Sequence, residues 1–238
     1  MSLSIIIPSK NEQDVIIDTI ESIKKSKISK INYEILVIND FSADNTLSIL
    51  KNYRKSKRIK ILNNKVSGLG GAINLGIKNS SKDYICIYMS DKSDSLNDMC
   101  RYYKLITSKN LDAVFGSRFI KGSKVKGYPL KKLFFNRIFN NLCMLFFLSS
   151  FNDYTNAFKM YKRKMLISFF PIVSENFNVF LELPLKTVSR NYNFKVIPIS
   201  WNNRSKGKSK FVIKELTSKY FFTFLYCFLE KILLKKIK

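Results

Sequence analysis

"YEILVINDFSADNTLSILKNYRKS", residues 33–56, decides the fold. It opens on a nearly unbroken apolar run that ends in Asn39 and Asp40. The remainder reads as helix, with Asp44 near its start, where an acid suits the helix dipole. A strand that is continuously apolar, rather than alternating, is buried on both faces. The pattern recurs outward from this stretch. "LSIIIPS" (3–9) is a strand, and residues 12–25 carry Ile16, Ile20 and Ile23 at helical spacing. "RIKILNN" (58–64) is a third strand, followed by a Gly-rich loop opening a helix, "GLGGAINLGIKNS" (68–80). "DYICIYMS" (83–90) and "DAVFGSR" (112–118) are the fourth and fifth strands. Such alternation predicts an α/β fold: a doubly wound, mostly parallel sheet with helices on both faces. Right-handed crossovers bring the strand C-ends to one edge, where ligands of such sheets bind. That edge gathers residues 8–12, 39–40, 63–65, 90–94 and 116–118.

The second half differs. Residues 131–150 fit a helix with Phe134, Phe135, Ile138, Phe139, Leu142, Leu145 and Phe146 on one face. Asn136, Arg137, Asn140 and Asn141 share the other. The aromatic face either packs on the sheet or lies in a membrane interface. Residues 178–190 read as a helix and 194–201 as a strand. The last segment, "KYFFTFLYCFLEKILLKKIK" (219–238), is a second amphipathic, Lys-flanked stretch. The expected organisation is one domain over 1–215, its first half to about 118 and its second from 119, with a membrane-associating helix at 216–238.

Composition narrows the chemistry. Lys+Arg 42 against Asp+Glu 17 gives +25 over 238 residues, so the expected partner is anionic. Nucleic acid is excluded as the expected partner, because no RNP, helix-turn-helix or zinc spacing appears. The chain has no histidine, which removes the usual general base and metal ligand. Four cysteines without CxxC spacing read as reduced core thiols in a cytoplasmic protein. Neither a leader nor a spanning segment is expected, the longest apolar run being "YFFTFLYCFL" (220–229).

Taken together, "SIIIPSKNE", "YEILVINDFSADNT", "SGLGGAINLGIKNSSKDYICIYMSDKSD" and "DAVFGSRFIKG" resemble the family 2 glycosyltransferases. The nearest group is the dolichol- or polyprenyl-phosphate sugar transferases. The resemblance continues through "GYPLKK", "YTNAFKMYKRKML", "FLELPLK" and "NRSKGKSKF", to about residue 215. It implies a GT-A fold, a nucleotide-diphosphate sugar donor, Mg²⁺ or Mn²⁺, and an inverting single displacement.

Several residues then acquire expected roles. Pro8 fixes a turn after the first strand, and Asn11 and Glu12 can reach a nucleobase or ribose; Lys10 stands where the family has an aromatic. The family carries two acids at the positions of Asn39 and Asp40, so Asp40 is expected on the base or ribose and Asn39 keeps a hydrogen bond without the charge. The plain alternative there is a strand-end turn. Gly68, with Gly70 and Gly71, offers amides at a helix start, which favour anions; the family reading sets this loop beside the donor, with Lys65 able to touch phosphate.

In "MSDKSD" (89–94) the family usually has Asp-x-Asp. Met89 replaces the first acid, leaving Asp91 as the expected main metal ligand, with Ser93 and Asp94 as auxiliary contacts and Ser90 beside the donor. A dication held by one or two carboxylates would offset the charge on a departing diphosphate. Lys92 could replace some of the lost cationic field; the alternative for the whole stretch is an acid-rich turn capping the next helix.

Arg118, Lys131, Lys132, Arg204, Lys206, Lys208 and Lys210 supply cations for phosphates, Arg118, Lys132 and Arg204 as candidate catalytic groups. A lipid phosphate is already an anion and needs no base, and the rim offers cations and no surplus acid. Polyprenyl phosphate is therefore the expected acceptor, at the inner membrane face. A hydroxyl acceptor, with Asp94, Asp153 or Glu182 as base, is the alternative, and a catalytically weakened nucleotide-sugar binder is a second. The resemblance also implies that Asp153 and Thr155 lie near the active site.

Overall fold

The computed structural model describes residues 1–53, 55–203 and 213–236. In chain order, β1 (Ser2–Ser9) leads through α1 (Ile16–Lys25) to β2 (Asn32–Asn39), then α2 (Thr46–Leu50), β3 (Ile59–Asn63) and α3 (Leu69–Asn79). Next come β4 (Tyr84–Ile87), α4 (Leu96–Ser108), β5 (Ala113–Ser117), β6 (Lys124–Lys126) and α5 (Leu130–Phe147). The chain then forms β7 (Lys159–Lys162), α6 (Arg163–Ile167), α7 (Val179–Ser189), β8 (Phe194–Pro198), β9 (Ser200–Asn202) and α8 (Ile213–Lys236).

The main sheet has seven strands in the order β3-β2-β1-β4-β7-β5-β8. Neighbours are parallel except β7, which runs antiparallel between β4 and β5. The expected mostly parallel sheet is therefore what forms, and the antiparallel strand is the addition. The strand expected at 194–201 is two strands: Pro198 closes β8, and β9 turns away to pair with β6 in a small second sheet.

Continuous apolar strands feed a core on each side of the sheet. Ile5, Ile7, Ile35, Val37 and Cys86 pack with Ile16, Ile20 and Ile23 of α1 and with Met99 and Tyr102 of α4. Ile6, Leu36, Ile38, Ile85 and Phe115 pack with α3, α7 and the aromatic residues of the second half. The four cysteines are unpaired, with Cys86, Cys143 and Cys227 buried.

The aromatic face of α5 is divided, Phe139 and Phe146 packing on Tyr220, Phe224 and Phe228 of α8. Asn140, Cys143 and Phe147 turn inward, while Phe134 and Phe135 stand 63% and 60% exposed. The polar edge is what ties the helix down. Asn136 Nδ2 donates to Thr155 Oγ1, Arg137 Nη1 to the Asn152 carbonyl at 2.9 Å, and the Tyr154 N–H to Asn140 Oδ1. α8 packs beside it through Phe224 and Cys227 and leaves Phe221, Phe222, Leu229 and Leu233 exposed. Among the described residues, no helix is long and apolar enough to cross a membrane.

A loop at 173–178 joins α3, α7 and α8. The Val173 and Ser174 N–H groups donate to the buried Glu182 carboxylate at 3.1 and 2.8 Å, and Glu182 also pairs with Lys186. The Gly70 N–H donates to the Glu175 carbonyl at 2.7 Å. A Cβ at Gly70 would lie 1.9 Å from the Ser174 carbonyl oxygen, a backbone atom that cannot swing aside. Gly70→Ala is therefore expected to destabilise the protein by about 2–3 kcal/mol, as overpacking does, measured as a lower urea midpoint at unchanged slope.

Candidate active site

The strand C-ends meet at one rim, and the antiparallel β7 starts there. Its first residue, Lys159, pairs with Phe115 near the end of β5, so the segment before it crosses the rim. This brings Asp153 to Arg118. The Arg118 backbone N–H and Nε donate to Asp153 Oδ2 at 2.9 and 2.8 Å, and Nη2 donates to Oδ1 at 2.7 Å. The guanidinium is 8% exposed. Rings of Tyr128, Phe119 and Trp201 surround it, their centroids 5.1, 5.4 and 5.9 Å from Cζ. A buried bidentate pair of this kind fixes both side chains, and removing one partner leaves an uncompensated buried charge. The Asp153 field keeps Arg118 protonated despite its burial.

Asp94 lies in the same cluster. Its side chain is buried, and Oδ1 has no hydrogen-bond partner. Burial, and next the charge of Asp91, push its carboxyl up to about 8, with Arg118 acting in the opposite direction. Lys159 sits below, 1% exposed, its Nζ donating to the carbonyls of Tyr154 at 2.9 Å, Asn156, and Phe180 at 3.5 Å. Burial draws its ammonium down to about 7, while Asp153 works against that shift. Asp91, Asp94, Arg118, Asp153 and Lys159 thus act on one another within one site. Among the described residues, three carboxylates stand with Arg118 and Lys159, the segment before β7 bringing Asp153 in as the resemblance implied.

Asp91 is half-buried, and its Oδ1 accepts the Ser93 N–H at 3.0 Å. Ser90 and Ser93 are buried, Ser90 through its carbonyl, which accepts Thr19 Oγ1–H at 2.7 Å. Lys92 pairs with Asp18 on α1, which draws it from the place where it was expected to replace some of the lost cationic field. Among the described residues, no three His, Cys, Asp or Glu side chains form a metal cage. The fit for a dication rests instead on Asp91 and Asp94. They repel each other, and Asp94 Oδ1 lacks a partner, so a cation sharing both would remove the repulsion and fill the vacancy in hydrogen bonding.

The donor-side candidates cluster at the ends of β1, β2 and β3. Asp40 Oδ1 accepts from Asn64 Nδ2 at 2.8 Å and from the Gly68 N–H at 3.0 Å. With Gly68 engaged by Asp40 and Gly70 by Glu175, the start of α3 is not an open anion cradle. Gly68 and Gly70 serve close packing against the 173–178 loop, where a Cβ at Gly68 would lie 2.5 Å from the Glu175 carbonyl oxygen, while Gly71 lies against the Val66 carbonyl. Asn39 Nδ2 donates to Asn63 Oδ1 at 3.2 Å, while Asn39 Oδ1 and Ser9 Oγ are buried without partners. The loop after Pro8 is pinned to the one after β2. The Asn11 N–H donates to Ser42 Oγ at 3.0 Å, Asn11 Oδ1 accepts the Ala43 N–H at 2.8 Å, and the Glu12 N–H donates to Thr46 Oγ1 at 2.9 Å.

Lys10 is half-buried and Lys65 exposed on the same side. Lys132 lies over the Tyr128 ring at 5.9 Å, one ring removed from Arg118. Glu182 is held inside by the 173–174 amides and Lys186, away from any acceptor. Arg204, Lys206, Lys208 and Lys210 lie outside the described residues. Sequence reasoning missed Lys159, Tyr128 and Trp201. A lysine in a four-residue strand carries no sign that it is buried.

Comparison with known proteins supplies the family. Residues 4–170 match the profile described as "Glycosyl transferase family 2". The poly(ribitol-phosphate) beta-glucosyltransferase of Bacillus spizizenii is 30% identical over 132 residues, covering 54% of this chain and 20% of that protein. A dolichyl-phosphate beta-glucosyltransferase of Trichomonas vaginalis is 29% identical over 220 residues, covering 86% of this chain and 65% of that protein. The chain thus spans between a fifth and just under two thirds of the length of these relatives. Among solved structures, the Mycobacterium tuberculosis glucosyl-3-phosphoglycerate synthase in complex with Mn²⁺, uridine diphosphate and glucosyl-3-phosphoglycerate superposes with a TM-score of 0.68 at 16% identity. That match covers 95% of this chain and 79% of the other, and it speaks to the fold.

The raised Asp94 carboxyl has a stability consequence. Its folded value, about 8, lies above the unfolded value near 3.8. Its contribution is therefore full below about pH 4 and is lost as pH rises toward 8. In metal-free buffer, Asp94→Asn is expected to be more stable than the wild type at pH 7, by on the order of 3 kcal/mol. The difference should close toward pH 4; urea unfolding at pH 4, 5.5 and 7 measures it.

Proposed function

The chain belongs to glycosyl transferase family 2, and from that premise we propose that it moves a sugar from a nucleotide-diphosphate donor to a polyprenyl phosphate at a membrane surface. The observation that carries the acceptor is the outward aromatic face of α5 beside the rim. The polar edge of α5 is bonded to Asn152 and Thr155, either side of Asp153, while Phe134 and Phe135 point to solvent. An amphipathic helix lying in an interface has this arrangement. The +25 charge favours an anionic leaflet. A phosphate acceptor held at that surface needs no proton acceptor; it needs positioning against the sugar carbon.

The donor end would lie across Ser9, Asn39 and Asp40, with its diphosphate toward Asp91 and Asp94. Those two carboxylates would hold Mg²⁺ or Mn²⁺, which when bound offsets charge on the leaving diphosphate. Arg118, already bidentate to Asp153, serves this reading by fixing the floor of the site. Lys132, and Arg204 and Lys210 outside the described residues, remain the proposed phosphate contacts. A second reading is favoured by the placement of Asp94: a buried carboxylate whose Oδ1 has no hydrogen-bond partner can accept a proton from an acceptor hydroxyl. The named activity of the Bacillus relative accords with it.

One assay separates the two. Purified protein is given labelled UDP- and GDP-sugars with Mn²⁺, and either a short-chain polyprenyl phosphate or a polyol-phosphate polymer. Metal-dependent transfer to the lipid phosphate is expected, falling at least about a hundredfold in Asp91→Ala and by less in Asp94→Asn, whose amide oxygen can still face the metal. Transfer to the polymer alone would replace the proposed acceptor with the hydroxyl one, and undiminished transfer by Asp91→Ala would remove the metal assignment.

The membrane face has its own test. Phe134→Ser with Phe135→Ser should lower binding to anionic vesicles by about tenfold or more without lowering the melting temperature, since neither ring is in a core. Sedimentation with phosphatidylglycerol-containing vesicles measures this; equal binding by the double variant would discount α5 as the docking face.

A further inference from the structure

Phe41 follows Asp40 directly and has a left-handed backbone, φ 52°. A bulky side chain is rarely found there, and glycine would adopt it without steric cost. The surroundings fix the conformation. The Asp40 N–H donates to the Ser9 carbonyl at 2.7 Å, and Ser42 Oγ holds the Asn11 N–H at 3.0 Å. Both flanks of Phe41 are thus tied to the loop after β1. The ring gains no core packing in return, being 55% exposed. A phenylalanine that is both conformationally costly and unburied needs another reason to be present.

A second observation comes from the same strand ends. Ser9 and Asn39 are opposite one another in the β1–β2 register, and Ser9 Oγ and Asn39 Oδ1 are buried without partners. Together these are an exposed apolar platform and, at the adjoining strand ends, two buried polar groups without partners, one able to accept from a ring N–H. From this we infer that Phe41 is the stacking platform for the nucleobase of the donor. The inference rests on the nucleotide-sugar reading above and adds a specificity-determining residue to it. A flat aromatic base has a π-face to lay on the ring and N–H and C=O groups to turn toward Asn39 and Ser9.

The test is calorimetric titration of the full chain with UDP, GDP and inorganic pyrophosphate, each with Mn²⁺, using wild type, Phe41→Gly and Phe41→Trp. Loss of one base stack is worth about tenfold in affinity. Phe41→Gly is therefore expected to bind the preferred nucleoside diphosphate about tenfold more weakly, with pyrophosphate affinity unchanged and the melting temperature held or raised. Phe41→Trp is expected to keep nucleotide affinity and to show quenching of the added indole emission when nucleotide binds. Equal nucleotide affinity in wild type and Phe41→Gly overturns the platform and leaves the transferase reading standing. Loss of pyrophosphate and nucleotide affinity in equal measure also overturns it, as a general distortion of the loop. A wild type that binds neither nucleotide overturns both readings.

Discussion

The site depends on the direction of one short strand. β7 enters the sheet from the rim and runs against β4 and β5. Had it been parallel, the segment before it would have emerged at the opposite edge. As it is, residues 153–158 cross the ends of β4 and β5, and Asp153 meets Arg118. Lys159 then plugs the space beneath, its ammonium bound by backbone carbonyls of residues 154, 156 and 180. These groups are buried, and each shifts the protonation of its neighbours, as happens where charges share a low-dielectric site.

The C-ends of β1–β3 and the exposed apolar edge of α5 and α8 are mechanically joined. Asp40 holds Gly68, and the glycines of α3 accept the backbone of the 173–178 loop. That loop is bonded to Glu182 of α7, and through Asn178 to Thr223 of α8 at 2.9 Å. A continuous run of packed and hydrogen-bonded groups therefore leads from the end of β2 to the helix that flanks the apolar face. The same loop explains why Glu182, an attractive acid on paper, is an internal brace.

The parts of this structure that were legible in the sequence are those with a period. Strands such as "YEILVIND" carry their burial in composition, and the rim follows from topology once they are parallel. Two features were not legible. β7 is four residues long and begins with a lysine whose burial depends on the fold around it, its ammonium held by the carbonyls of residues 154, 156 and 180, which no strand pattern reports. The orientation of α5 was undecided because its wheel has two usable faces; Asn136, Arg137 and Asn140 find partners at 152–155, and that tertiary bonding turns the aromatic edge outward. The glycines before α3 were read for anion binding, whereas their neighbours show close backbone approach, a cause that composition cannot distinguish.

The outward edge of α5 has an evolutionary corollary. Phe134 and Phe135 stand largely in solvent, so selection can exchange them one at a time at little cost to folding. A lineage could thereby retune what that edge meets while the packing beneath the rim stays constant. Variation there would record changes of address, whereas variation at residues 153–159 would disturb the buried Arg118–Asp153 pair and Lys159.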